Sequence, residues 1–205
     1  MRKLAAVLVI ITSLLISPRI DSVFAGQIED GIAAYQRGDY KTALPLLKPT
    51  AEKGDVHAQG LIGIMYNTGQ GVPKDYIEGT KWTRMAAEGG LAEAQSDLGN
   101  IYLGGKGVPK DYVEATKWFK RAAAQGNPRA QLDLGTSYFF GLGVPKDNVF
   151  ALMWMNLAAS RFPEEETDLK KSARNFATLL TAGMSSTQIT EAERMAREWK
   201  PKKER

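Results

Sequence analysis

Apolar and small residues recur at helical spacing through most of the chain. In "VHAQGLIGIMYNT" (56–68), Ala58, Ile62 and Tyr66 stand four residues apart on one face. In "YIEGTKWTRMAAE" (76–88), Tyr76, Gly79, Trp82, Ala86 and Ala87 form one stripe. The spacing predicts a helix over Val56–Thr68 and a second over Tyr76–Glu88. Between them lies a corner, "GQGVPKD" (69–75). Pro73 fixes one backbone angle and discourages helix in the residue before it. Gly69 and Gly71 allow positive φ, so the first helix stops and the chain turns. Asp75 then caps the second helix, and Glu78 three residues on is expected to close a capping box. Gly90 supplies the next stop. The unit is a helical hairpin.

The hairpin returns at a fixed period of thirty-six. "GVPKDY" occupies 71–76 and again 107–112, and "GVPKDN" occupies 143–148. The segments 71–88 and 107–124 agree at twelve of eighteen positions. The same register links Gly63, Gly99 and Gly135; Tyr66, Tyr102 and Tyr138; Trp82, Trp118 and Trp154; and the alanine pairs that begin at Ala86, Ala122 and Ala158. A period in this range marks an array of stacked supersecondary units. Glycine inside a helix costs about 1 kcal/mol relative to alanine. Its recurrence at 63, 99 and 135 therefore predicts close helix approach, with room for a neighbour's Trp82-type ring or Ala86-type backbone. Asp111–Glu114 repeats the expected capping box. Asp147 is followed by Phe150 in the glutamate position, which predicts a weaker cap, and Asn127 and Pro128 suit the start of a helix.

The ends depart from the array. Residues 27–37 read as a shortened first helix leading into "GDYKTALPLLKPTAEKGD" (38–55), which matches only the second half of the unit. Near the C-terminus, Ser185 and Gln188 form an S-x-x-Q box, with Met184 placed to staple against Ile189. Ile189, Ala192, Met195, Ala196 and Trp199 then share a face, and Pro201 ends the helix. A capping helical pair over the last repeat is the expected role, as open solenoid ends require. The acidic run 164–166 suits a helix N-terminus.

The pattern "AQxxLGxxY…GxGVPKDYxEAxKWxxxAAxxG", embodied in 94–126, resembles the Sel-one-like repeat (SLR), a cousin of the tetratricopeptide repeat. The resemblance covers 58–159 as three repeats and 39–54 as a half repeat. It implies an all-α fold, a right-handed α-solenoid of antiparallel helix hairpins, and a role as an interaction scaffold without catalysis. Gly79 replaces the usual alanine and Asn148 the usual aromatic; neither threatens the fold. The expected organisation is a signal segment (1–25), an N-terminal capping half repeat (26–55), repeats at 56–91, 92–127 and 128–159, C-terminal capping helices (160–200) and a tail (201–205).

Composition changes this picture at the N-terminus. Arg2 and Lys3 precede the apolar run 4–16, which is too short for a spanning helix of roughly 20 residues. With "VFA" at 23–25, the segment reads as a secretory signal cleaved after Ala25, the alternative being an uncleaved anchor. Export, to the periplasm or outside the cell, rests on this segment alone. Arg2, Lys3, Arg19 and Asp21 leave with it, so the formal charge falls from +4 to +2. That balance gives no reason to expect nucleic acid or an anionic membrane surface as partner. The chain has no cysteine, which removes disulfides and thiol chemistry.

Candidate chemistry narrows further. "GQGVPK" lacks the third glycine of a dinucleotide loop and the G-K-[ST] of a P-loop, and its flanks are helical where a strand should precede. Lys74, Lys110 and Lys146 read as exposed turn residues. His57 is the only histidine, and its equivalents are Glu93 and Arg129, so neither a metal site nor a Ser/His/Asp set is expected, and no cofactor. In the related tetratricopeptide fold the first helix of each pair lines the concave face. The positions left after the core set there give a peptide groove of Ile64, Asn67, Ser96, Asn100, Leu103, Leu132, Thr136 and Phe139. Packing of Phe139 and Phe140 under the C-terminal cap is the competing reading. The expected partner is a protein or peptide, with envelope association as a further option. A second function class, a cell-envelope hydrolase or a β-lactam- or peptidoglycan-binding protein, is implied by cysteine-rich relatives whose disulfide-braced repeats this chain lacks.

Overall fold

In the computed structural model, residues 17–163 and 167–202 are described. They form ten helices joined by short turns, with no strand among the described residues. In chain order these are α1 Ser17–Gln36, α2 Tyr40–Glu52, α3 Val56–Thr68, α4 Tyr76–Glu88, α5 Ala92–Gly104, α6 Tyr112–Gln125, α7 Pro128–Phe140, α8 Asn148–Arg161, α9 Thr167–Thr181 and α10 Ser186–Glu198. Each second helix packs on its own first helix and on the first helix of the next unit. The array is thus a helical solenoid of repeats. None of the described helices is long and apolar enough to cross a membrane.

The helix starts follow local chemistry, with one revision. Asp75 accepts from the Ile77 and Glu78 amides at 2.9 and 3.0 Å, and Asp111 and Asp147 repeat the geometry. The expected capping box does not close, however. Glu78 Oε1 accepts instead from Trp82 Nε1 at 2.8 Å, and Glu114 pairs with Lys117. Phe150 in the glutamate position therefore weakens nothing: the Asp147 bonds to Val149 and Phe150 measure 2.9 and 3.0 Å. Phe150 stacks on Tyr138 with centroids 5.2 Å apart. Asn127 caps α7 as expected, with Pro128 in its first turn, whereas Leu91 begins α5 without a side-chain cap.

Two joints hold each unit to the one before. A buried glutamine on each first helix reaches back to the second helix of the preceding unit: Gln59 Nε2 donates to Ala51 O at 2.9 Å, Gln95 to Ala87 O at 3.0 Å and Gln131 to Ala123 O at 3.2 Å. The corner forms the second joint. Thr80 Oγ1 donates to Tyr76 O and Lys106 O, and Thr116 Oγ1 donates to Tyr112 O and Leu142 O. Gly107 has φ +78° and lies directly against Tyr76 O, where a Cβ would clash with backbone. The repeated phrase thus turns the chain and also seats the turn on its neighbour.

The mid-helix glycines do mark close approach, but not to the tryptophans. A Cβ at Gly63 would stand 2.9 Å from Thr83 N, one at Gly99 would meet the Phe119 ring and Ala115 O, and one at Gly135 would come 3.1 Å from Met155 Cε. The partner is the residue after the tryptophan in each repeat. Trp82 and Trp118 are themselves buried with alanines of the preceding unit and one of their own.

Both ends revise the expectation in detail. At the N-terminus α1 runs twenty residues through position 25, and Ile28, Ile32, Ala34 and Tyr35 in its later part pack in the core. At the other end, α9 and α10 both pack on α8, as a capping pair should. Ser185 N donates to Gln188 Oε1 and Gln188 N to Ser185 Oγ, closing the capping box, and Met184 and Ile189 join the same core cluster. The tail is not wholly free, since Lys202 N donates to Ala124 O at 2.8 Å and Arg161 lies 4.4 Å over the Trp199 ring. The signal run 4–16 and the acidic run 164–166 lie outside the described residues.

Candidate functional site

The first helices of successive units are separated by open clefts, because the second helices stand behind them and make the close contacts. Between α3 and α5 is a cleft of about 750 Å³. Its walls carry Ile64 and Asn67 from α3, and Asp97 and Asn100 from α5. Lys74 and Lys106 close it from the two corners, and Arg129 reaches it from α7. A second cleft of about 400 Å³ lies nearer the helix starts, lined by Ile32, Leu61, Ile64 and Leu91 with Glu93 and Asp97 at its edge. Ile64 and Asp97 border both, so the two form one continuous groove.

Three of the eight expected positions meet in this groove: Ile64, Asn67 and Asn100. Asn67 Nδ2 donates to Thr83 Oγ1 at 3.4 Å. Asn100 Nδ2 donates to Ser96 O and to Asp133 Oδ2, each at 3.2 Å. The other five lie elsewhere. Ser96 is 2% exposed and sits beneath the surface. Leu103 packs against the core cluster of Ala115, Phe119 and Leu134. Thr136 spends its hydroxyl on Leu132 O. Leu132 and Phe139 join the C-terminal core, where Phe176 of α9 meets Phe139 edge-on at 6.3 Å. The apolar end expected for the groove is therefore covered by α9. Phe140 remains 58% exposed.

The residues that were missed are Asp97 and Asp133. They stand thirty-six apart, at a register position counted neither as core nor as groove. The available signal was a carboxylate in mid-helix where the first repeat has Leu61. Desolvation raises the Asp97 carboxyl, with Arg129 opposing and Glu93 adding to the rise. Desolvation lifts Asp133 to about 6, against the hydrogen bond from Asn100 and the nearby Arg129 charge, while Asp97 pushes it up. Asp97 on the groove wall and Asp133 beside it are thus both raised by desolvation, a perturbation common where a surface serves binding. Among the described residues no group of His, Cys, Asp and Glu is arranged to hold a metal ion.

Hairpins, joints and groove together define a repeat solenoid of the interaction-scaffold type. The chain belongs to the Sel1 repeat family, whose repeat matches residues 56–91, 92–127 and 128–161. Scaffolds built from these repeats are generally non-catalytic and serve protein interaction. The fold resembles that of c5321, described as a protective antigen present in uropathogenic Escherichia coli strains and displaying an SLR fold. The identity is 30%, the TM-score 0.76, and the match covers 86% of this chain and 37% of that one. The chain therefore spans little more than a third of that protein. A Sel1 repeat protein from Oxalobacter formigenes is 42% identical with a TM-score of 0.54, over 62% of this chain and 95% of that one. No curated protein matches the chain.

Proposed function

We propose that this protein is an exported, non-enzymatic scaffold that holds an extended segment of a partner protein along α3 and α5. The observation that carries the reading is the continuity of the two clefts across successive units. An extended segment presents its backbone groups at regular intervals, and Asn100, exposed on the α5 wall with its Nδ2 held by Ser96 O and Asp133 Oδ2, keeps its Oδ1 to accept from one of them. Export is supported by the basic start, the short apolar run and "VFA" before position 26. Ile28, Ile32, Ala34 and Tyr35 of α1 lie after the cut, so cleavage after Ala25 keeps their core contacts.

A crosslinking pull-down from the native envelope tests binding. Asn100→Ala is expected to lose the captured partner while its melt stays within about 1 kcal/mol of wild type. Equal recovery by the variant would count against the groove. N-terminal sequencing of the protein taken from cells is expected to begin at Gly26; a Met1 start would remove cleavage from the proposal.

A further inference from the structure

The groove's charges are arranged unevenly, and that arrangement specifies an occupant; this inference rests on the groove reading above. Lys74 and Lys106 come from successive corners, and their ammonium groups lie 5.6 and 5.8 Å from the same Tyr76 ring. Neither has an ion-pair partner among the described residues. Arg129 enters the same cleft from the third repeat. Arg129 lies near the Asp97 and Asp133 carboxylates, so Lys74 and Lys106 carry the charge of this cleft that no carboxylate among the described residues pairs. Such a cleft favours an anionic group.

The adjoining cleft is different. Ile32, Leu61, Ile64 and Leu91 give it an apolar floor, and Glu93 and Asp97 give it an anionic edge. A uniform polyanion, such as a nucleic acid or an anionic glycan, would carry its next charges onto those carboxylates and be repelled. A wholly apolar segment would leave Lys74 and Lys106 without an anionic partner. A cationic segment would be repelled by Lys74 and Lys106. The ligand that satisfies both clefts has one negative side chain followed closely by a bulky apolar one.

We propose that the α3/α5 groove recognises an extended peptide with an Asp or Glu side chain between Lys74 and Lys106 and a Leu- or Phe-class side chain in the second cleft. Affinity is shared: the cations orient the peptide and speed encounter, and apolar burial holds it. Tyr76 keeps the two ammonium groups in place without neutralising them.

The test uses fluorescence polarisation with synthetic end-blocked peptides in four classes: acidic–apolar, basic–apolar, neutral–apolar and acidic without apolar residues. The protein is the wild type and the Lys74→Glu/Lys106→Glu variant, whose fold is checked by its circular dichroism melt; heparin serves as a polyanion competitor. Acidic–apolar peptides are expected to bind tightest and to weaken about tenfold in the variant, with a similar loss at high salt. Equal binding of another class, unchanged affinity in the variant, or complete displacement by heparin at equal charge would overturn this inference and leave the groove standing. Failure of all four classes to bind would sink the groove reading with it.

Discussion

The second and third repeats place matching residues on matching helices and use them differently. Asn100 and Thr136, Leu103 and Phe139, and Asp97 and Asp133 are each thirty-six residues apart. On the α5 side Asp97 and Asn100 border an open, charged cleft, while Leu103 packs into the core. On α7, Phe139 is covered by Phe176, and Leu132 joins the C-terminal core. The repeat register fixes where the backbone goes, but exposure depends on what stands next in the array. The last unit has no further repeat to meet, so its groove surface becomes the seat of the cap.

The sharpest way to break this comparison is to overpack both repeats at the same place. Gly99→Leu drives into the buried Phe119 ring and the Ala115 carbonyl, whereas Gly135 faces the flexible end of Met155. Gly99→Leu is expected to destabilise by about 3 kcal/mol and Gly135→Leu by visibly less. Paired denaturant titrations read the difference, and equal losses would show that ring and thioether give way alike. Uncovering the third repeat comes next. Phe176→Ala removes the edge-on partner of Phe139 and is expected to cost about 2 kcal/mol, with a gain in binding of a hydrophobic dye. A smaller effect of opposite sign is expected at Asp133. Its folded carboxyl is raised to about 6, so the protonated form is the one the fold favours. That contribution is fully present below the ordinary aspartate range and is lost as pH rises through about 6. Asp133→Asn keeps an oxygen for Asn100 and is expected to stabilise by about 1–2 kcal/mol at neutral pH, partial solvation included, and to match wild type near pH 4. Thermal melts at the two pH values decide it; a variant equally stable to wild type at both would remove the electrostatic penalty from the groove.

Helix limits were legible because the signals are local. Glycine, proline and aspartate punctuate each corner, and α3 and α4 fall on Val56–Thr68 and Tyr76–Glu88 as their spacing indicates. The glycine contacts were half legible. The need for space at Gly63 could be read, but which neighbour fills it depends on how the second helix is rotated, and that puts Thr83 rather than Trp82 against it. Glu78 misled for a related reason: its spacing suits a capping box, but the Trp82 indole one turn on is an equally near partner. The groove was the least legible part. Ser96 and Leu132 share a register position with Gly60, which lies 3.0 Å from Leu91 measured from an added Cβ and is buried. Position 97 was passed over because Leu61, its counterpart, looks like core. Pairwise spacing along one helix does not tell which side of it the next unit leaves open.

The two joints carry a consequence for how such a chain can change length. The two seams between the three repeats use one chemistry: a glutamine amide to the preceding helix, a threonine of that helix to the following corner, and a glycine of that corner against the start of that helix. If residues 92–127 were excised, Gln131 would arrive where Gln95 now meets Ala87, and Gly143 would arrive against Tyr76. Recombination in whole multiples of the period therefore rejoins compatible surfaces, so the gene can gain or shed modules without passing through a product that cannot fold. What each such event would alter is the span of the trough, and with it the length of polypeptide the molecule can grip.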